Sequence, residues 1–208
     1  MSTEVRTRPV RERPSLRFSA RDLVHTAIFA AILIVLTYAI GMLGVLSPVV
    51  WLVVVPVQTV VGGIPVMLFI SRIRHAGMFG LFAIVVALFY LVNGNTWIGT
   101  VAIVLLGLAG ELILWAGRYR SRPSAVGAYT VFGMSFFTPF LPLLVDRDAS
   151  FTSASWTEMG ADYVHAADVL LSPAVIGSLG AAILLAALLG GLLGAATLKK
   201  HFVRAGLA

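Results

Sequence analysis

Six long apolar runs, parted by short polar breaks, set the plan of this chain. They cover Leu23–Gly44, Pro48–Ile70, Gly77–Val92, Thr96–Gly117, Ala125–Val145 and Pro173–Leu198. A helix that crosses a bilayer needs about 20 mostly apolar residues, and most of the runs reach that length. Helices are the expected choice, because lipid cannot satisfy open backbone groups and the runs are too long for barrel strands. Span 3 is short, so it either sits where the protein is thin or draws on its flanks. The predicted fold class is therefore an all-α integral membrane protein of six transmembrane helices over residues 21–208. Residues 1–20 form an Arg-, Pro- and Ser-rich arm, which reads as a disordered cytoplasmic segment.

Composition agrees with a membrane solvent. Hydrophobic residues make up 59% and charged residues 12%, against about a quarter charged in soluble domains. With no cysteine, thiol nucleophiles, thiolate metal sites and disulfides are excluded. The net charge of +6 does not point to nucleic acid, because the basic residues sit at the edges of the apolar runs. Fourteen of the fifteen lie in the N-terminal arm, the loop with Arg72 and Arg74, the loop with Arg118, Arg120 and Arg122, and the C-terminus; only Arg147 lies opposite. Positive loops stay cytoplasmic, so both termini are expected inside. The Arg-rich arm reads as a topology anchor that rests on anionic lipid, ahead of a retained first span rather than a cleaved leader.

That orientation sends three segments outward: Val45–Ser47, Asn93–Thr96 and the long Asp146–Ser172. The last reads as an amphipathic interfacial helix. Trp156, Met159, Tyr163, Ala166 and Leu170 fall on one face, Glu158, Asp162, His165 and Asp168 on the other, and Ser155 with Glu158 fits a capping box. It either seals the loop or lids a cavity. The outer side holds five acids (Asp146, Asp148, Glu158, Asp162 and Asp168) against one Arg; such a mouth favours cations, although excluding Lys and Arg from outer loops gives the same sign. Asn93 and Asn95 donate and accept hydrogen bonds without carrying charge, and Trp97 offers a flat stacking surface. The competing reading is an ordinary Asn-Gly turn beside an interfacial Trp.

Two spans carry backbone interruptions near the outer face. Span 2 holds Pro48, Pro56, Pro65 and Gly62-Gly63, with Trp51 and Gln58 among them; span 5 holds Pro139 and Pro142 beside Ser135 and Thr138. Broken helices at membrane depth either pack on protein or line a binding site. Ala182, Ala186, Gly190 and Gly194 repeat every four residues on span 6, as Ala27 and Ala31 do on span 1, a spacing that lets helices approach closely. Glu111 is the one acid within a span. It reads either as a structural partner of an inner-loop Arg or as a proton-coupling group.

Motifs for self-powered chemistry are missing. The sequence has no phosphate loop, no H-E-x-x-H and no G-x-S-x-G, and its four His residues stand in separate segments. No catalytic residue, metal ligand or cofactor is assigned, and the chain reads as a binder or conduit rather than an enzyme.

RDLVHTAIFAAI at span 1, GGIPVMLFISRIRHAGMFG, NGNTWIG, GRYRS, FLPLLVDRDASF and GLLGAATLKKHFVRAGLA resemble the Trep-Strep (MptD) family of S components of energy-coupling factor (ECF) transporters. The likeness covers about Asp22 to Leu207. It implies an S-component-like bundle that captures a micronutrient outside. It also implies partners, a transmembrane coupling protein and a pair of cytoplasmic ATPases. Ala27 and Ala31 match the Ala-x-x-x-Ala patch with which such proteins meet the coupling protein. Ligand contact is implied for Asn93, Asn95 and Trp97, and for Asp146, Arg147, Asp148 and Tyr163; Trp51 and Gln58 on the interrupted second span complete the candidate set. The substrate does not carry over. The rival readings are a stand-alone secondary transporter using Glu111 and, last, a membrane enzyme acting on lipids or peptides.

Overall fold

The computed structural model describes residues 19–73 and 75–204, so the arm over residues 1–18 lies outside the described residues. Helix α1 (Ala20–Gly41) begins where Ser19 and Asp22 cap each other: the Asp22 N–H donates to Ser19 Oγ, and Ser19 N–H donates to Asp22 Oδ2 at 2.9 Å. A 3-10 segment, Met42–Leu46, leads to α2 (Pro48–Ile70), which Ser47 caps and Pro48 opens. Then follow α3 (Met78–Val92), α4 (Trp97–Ala116) capped by Thr96, and α5 (Arg122–Gly133) capped by Ser121. A second 3-10 segment, Met134–Phe140, passes into α6 (Leu141–Val145). Three short helices, α7 (Arg147–Phe151), α8 (Ala154–Thr157) and α9 (Ala161–Leu170), precede the long α10 (Pro173–Arg204).

Five of these segments, with α5 to α6 counted as one, are long and apolar enough to cross a membrane, and α3 is a shorter apolar helix. The described chain is an all-α membrane bundle. One end, here the terminal end, carries the start of α1, the end of α10 and Arg21, Arg72, Arg118, Arg120 and Arg122. The other, the cleft end, carries the Asn93–Thr96 turn and α6 to α9, with Arg147 its one Lys or Arg among the described residues. Large apolar side chains such as Val35, Leu112 and Leu185 are exposed, a surface suited to lipid rather than water.

Helix α2 is the most buried span and packs on α1, α5 and α10. The interruption expected there is absent, since α2 runs unbroken through Pro56 and Pro65. Each proline removes one N–H, and close neighbours on several sides hold the helix together in spite of it. The closest approach along α2 faces Gly63 toward Gly190 of α10, where a Cβ on Gly63 would lie 2.3 Å from the Gly190 backbone. Only glycine allows two backbones to meet so closely. Ala186, Gly190 and Gly194 of the predicted stripe are buried, while Ala182 is exposed.

Span 5, by contrast, is broken. Its α-helix stops at Gly133 and continues as the 3-10 segment that holds Pro139, with Pro142 in the first turn of α6. Two apolar cores result. The deeper one stacks Phe69, Phe79, Phe82 and Phe132, with Phe69 and Phe82 4.7 Å apart; the second, around Val55, Phe140, Leu171 and Ile176, supports the cleft end.

The predicted interfacial helix is two pieces. Gly160, at φ +92°, breaks it between α8 and α9. The predicted capping box is not formed, since Ser155 lies inside α8 and Ser153 holds its N-cap position. The break shifts the helical phase, so α9 buries Ala167 and half-buries Tyr163, Val164 and Leu170, leaving Ala166 exposed.

Candidate functional site

A cavity of about 400 Å³ opens at the cleft end. Four parts of the sequence wall it: Tyr38 and Trp51 from α1 and α2, Tyr90 with the Asn93–Thr96 turn, Pro139 and Pro142 from the broken span, and Asp146 to Met159 from α7, α8 and their flanks. Such a volume is in the range of small-molecule sites. Trp51 is its anchor. The indole stacks on Phe140 at 4.3 Å and meets Trp156 edge-on at 5.7 Å, and Trp156 in turn meets Phe151 at 4.8 Å. Aromatic pairs at these separations and angles hold one another in place.

Polar bonds fix the rim. Asn95 Nδ2 donates to Thr138 Oγ1 at 3.4 Å, which ties the α3–α4 turn to the 3-10 segment of span 5. Asp146 caps α7, its Oδ1 accepting from the Ala149 N–H at 3.0 Å. Tyr163 donates to the Gly44 carbonyl at 2.9 Å and so ties α9 to the α1–α2 connection; burial pushes its phenol above the usual tyrosine range.

The structure brings Trp51, Asn93, Asn95 and Asp146 together on the cavity wall. The other candidates fall elsewhere. Trp97, 71% exposed, opens α4 on a face turned from the cavity, while Thr96 and Ile98 on either side of it line the wall. Its place suits a membrane-interface anchor. Gln58 is buried about two turns along α2 from Trp51, beside Gly41, and is not in the lining. Arg147 turns away to α9: its Nε donates to Asp168 Oδ1 at 2.8 Å, and its other nitrogens donate to the carbonyls of Asp168 and Leu171. Cations at a helix C-terminus satisfy its free carbonyls. Asp148 is exposed and outside the lining, and Tyr163 supports the wall from behind.

Sequence reasoning did not assign Tyr38 or Tyr90 to the site, and it reached Ser150, Ser153 and Trp156 only as part of the Asp146–Tyr163 region that the family resemblance implicates. The available signal was aromatic placement, since Tyr38 and Tyr90 both stand near the same end of their spans.

At the terminal end, Glu111 has a different partner set from the arginine expected. It accepts from the N–H groups of Gly77 (2.8 Å), Phe79 (2.8 Å) and Gly80 (3.0 Å), and from the Tyr119 hydroxyl. Gly77 offers α3 no capping side chain, so the carboxylate of α4 supplies the cap from outside and complements the helix dipole. Burial, with the Glu111 carboxylate beside it, holds the Tyr119 phenol above its ordinary range. Nearby, His75 lies 3.4 Å from Asp22, joining the α2–α3 turn to the start of α1. Ala27 and Ala31 are exposed on α1, the least buried span.

A family of hypothetical bacterial integral membrane proteins (Trep_Strep) has a model that matches residues 20–204, and the chain belongs to that family. No curated protein and no solved structure matches the chain.

Proposed function

We propose that this chain is the substrate-binding membrane subunit, or S component, of an ATP-driven importer of the ECF type. It captures a small micronutrient at the outer face of the cell membrane. It then delivers the molecule with a transmembrane coupling protein and a pair of cytoplasmic ATPases. The reading puts both termini in the cytoplasm, on the charge asymmetry of the loops. The observation that carries it is the cavity of about 400 Å³ at the end poor in Lys and Arg, built partly from a broken span. Two further points support it. The sequence holds no phosphate loop, so the energy comes from elsewhere. Ala27 and Ala31 leave a shallow exposed strip on α1 against which another helix can pack closely.

The test is gentle extraction followed by mass spectrometry of retained small molecules and bound subunits. A retained ligand together with a membrane partner and ATPases is expected; an empty protein that purifies alone would count against the reading. Ala27→Leu or Ala31→Leu is expected to abolish uptake while leaving ligand binding intact.

The hydrogen bonds of Glu111 weigh against a secondary transporter built on that residue. Its carboxylate is committed to four donors, three of them the N–H groups that open α3, which is the arrangement of a structural cap. Uptake in vesicles without any ATPase, lost in Glu111→Gln, would restore that rival.

A further inference from the structure

The cavity holds neutral hydrogen-bonding groups of both kinds and, among the described residues, a single charge. Its walls carry amides and hydroxyls, and several have already given a proton to the protein. Asn93 Nδ2 donates to the Phe89 carbonyl at 2.8 Å. A carbonyl only accepts, so this amide cannot be turned round, and its Oδ1 is the atom left over. Asn95 is fixed from the other side: the Thr96 N–H donates to its Oδ1 at 3.0 Å, and its Nδ2 donates to Thr138 Oγ1. Thr138 can accept there because its own proton goes to the Ser135 carbonyl at 2.8 Å. Ser150 donates to the Asp146 carbonyl, and Ser153 to the Ser150 carbonyl at 2.7 Å. Ser155 is then the donor in its 3.3 Å contact with Ser153.

Acceptors remain. Asp146 uses Oδ1 on the Ala149 N–H, and its Oδ2 has no hydrogen-bond partner among the described residues. Asn93 Oδ1 is likewise without one. Asp146 is also the only charged side chain among the described residues that line the cavity. Arg147, next to it in sequence, does not neutralise it, because its guanidinium is committed to Asp168 and to the end of α9. Tyr38, Trp51, Tyr90 and Trp156 share the lining, and aromatic faces attract cations as well as apolar groups.

We propose that this cavity takes a compact organic cation whose charge is carried on N–H groups, such as an ammonium, amidinium or guanidinium. The charged end sits against Asp146 and the apolar body against Trp51 and Trp156. The proposal rests on the capture reading above and names the substrate class for the same site. An anion would meet a carboxylate and no cation; a neutral molecule would forgo the charge-assisted bond.

Benzamidine, benzamide and benzoate share one shape and differ in charge, so they separate these cases. The measurement is calorimetric titration of each into the full chain in nanodiscs at low salt, with wild type and Asp146→Asn. Benzamidine is expected to bind about tenfold or more tighter than benzamide, with benzoate weakest, and Asp146→Asn is expected to bring benzamidine down to the level of benzamide. Equal affinity for benzamide, tighter binding of benzoate, or an advantage that survives in Asp146→Asn would overturn the cation assignment and leave the capture reading standing. Failure of all three probes to bind would overturn it too. The capture reading falls separately, when gentle extraction recovers neither ligand nor partner.

Discussion

Glu111 and Asp146 are both carboxylates that cap helices, one at each end of the bundle, and they differ in what they have left to offer. Glu111 lies within a span and is filled: three backbone N–H groups and a phenol converge on it. Asp146 lies at the edge of a cavity and is half used, with one oxygen on the Ala149 N–H and the other without a partner among the described residues. An intramembrane acid attracts attention as a functional group. Here the hydrogen-bond count reverses that ranking. The deep acid maintains the fold, and the shallow one has acceptor capacity to spare.

Mutations at the two ends should separate stability from binding. Glu111→Ala has the largest expected effect on stability, a loss of about 2–4 kcal/mol, because it leaves several N–H groups at the start of α3 uncapped. Thermal unfolding in detergent reads it, and a transition close to wild type would break the contrast. At the close contact between α2 and α10, Gly190→Val should cost about 1–3 kcal/mol through overpacking against the Val60 carbonyl, where a Cβ would already stand 2.6 Å away. The same unfolding assay tests this.

The cleft end should respond mainly in affinity. Trp51→Ala removes an indole that walls the cavity and touches Phe140 and Trp156, and is expected to weaken ligand binding about tenfold or more. Trp97→Ala is expected to change it less than about threefold, since that ring faces away from the cavity. Titration of whichever ligand co-purifies decides between the two, and equal losses would mean that the α4 face has been misassigned. Smallest is Arg147→Gln. With its partners partly exposed, it should lower stability by about 1 kcal/mol and raise hydrogen exchange in α9, without removing the cavity.

Much of the architecture was legible because the bilayer imposes it. The apolar runs gave span positions within a few residues, including the short third one. Ser47, Thr96 and Ser121 stand at helix starts, as their side chains favour. The prolines were less informative. Pro56 and Pro65 sit in an unbroken helix, whereas Pro139 and Pro142 accompany a real break. The residues are alike, and the surrounding packing differs. In the long loop, the periodicity ran through Gly160 as though the helix continued, although the backbone at φ +92° does not.

The site was legible in part for a related reason. Asn93, Asn95, Asp146 and Trp51 reach the cavity, but Trp97 lies one helical step out of phase and Arg147 is drawn to the end of α9. Sequence position indicated which end of the bundle each residue occupies; it did not indicate which way a side chain turns.

The sequence by itself determined that this protein lives in a membrane and that its positive charge gathers at one end of the bundle. It determined this because the cost of burying charge and open backbone in lipid acts on each segment separately. Only the tertiary structure decided which acid is filled and which is open, and which aromatic rings share a wall. Those outcomes depend on groups that lie 21 to 43 residues apart, as in the Arg147–Asp168, Glu111–Gly77 and Asn95–Thr138 bonds. Pairings at that range are set by how whole helices pack, which no local pattern encodes.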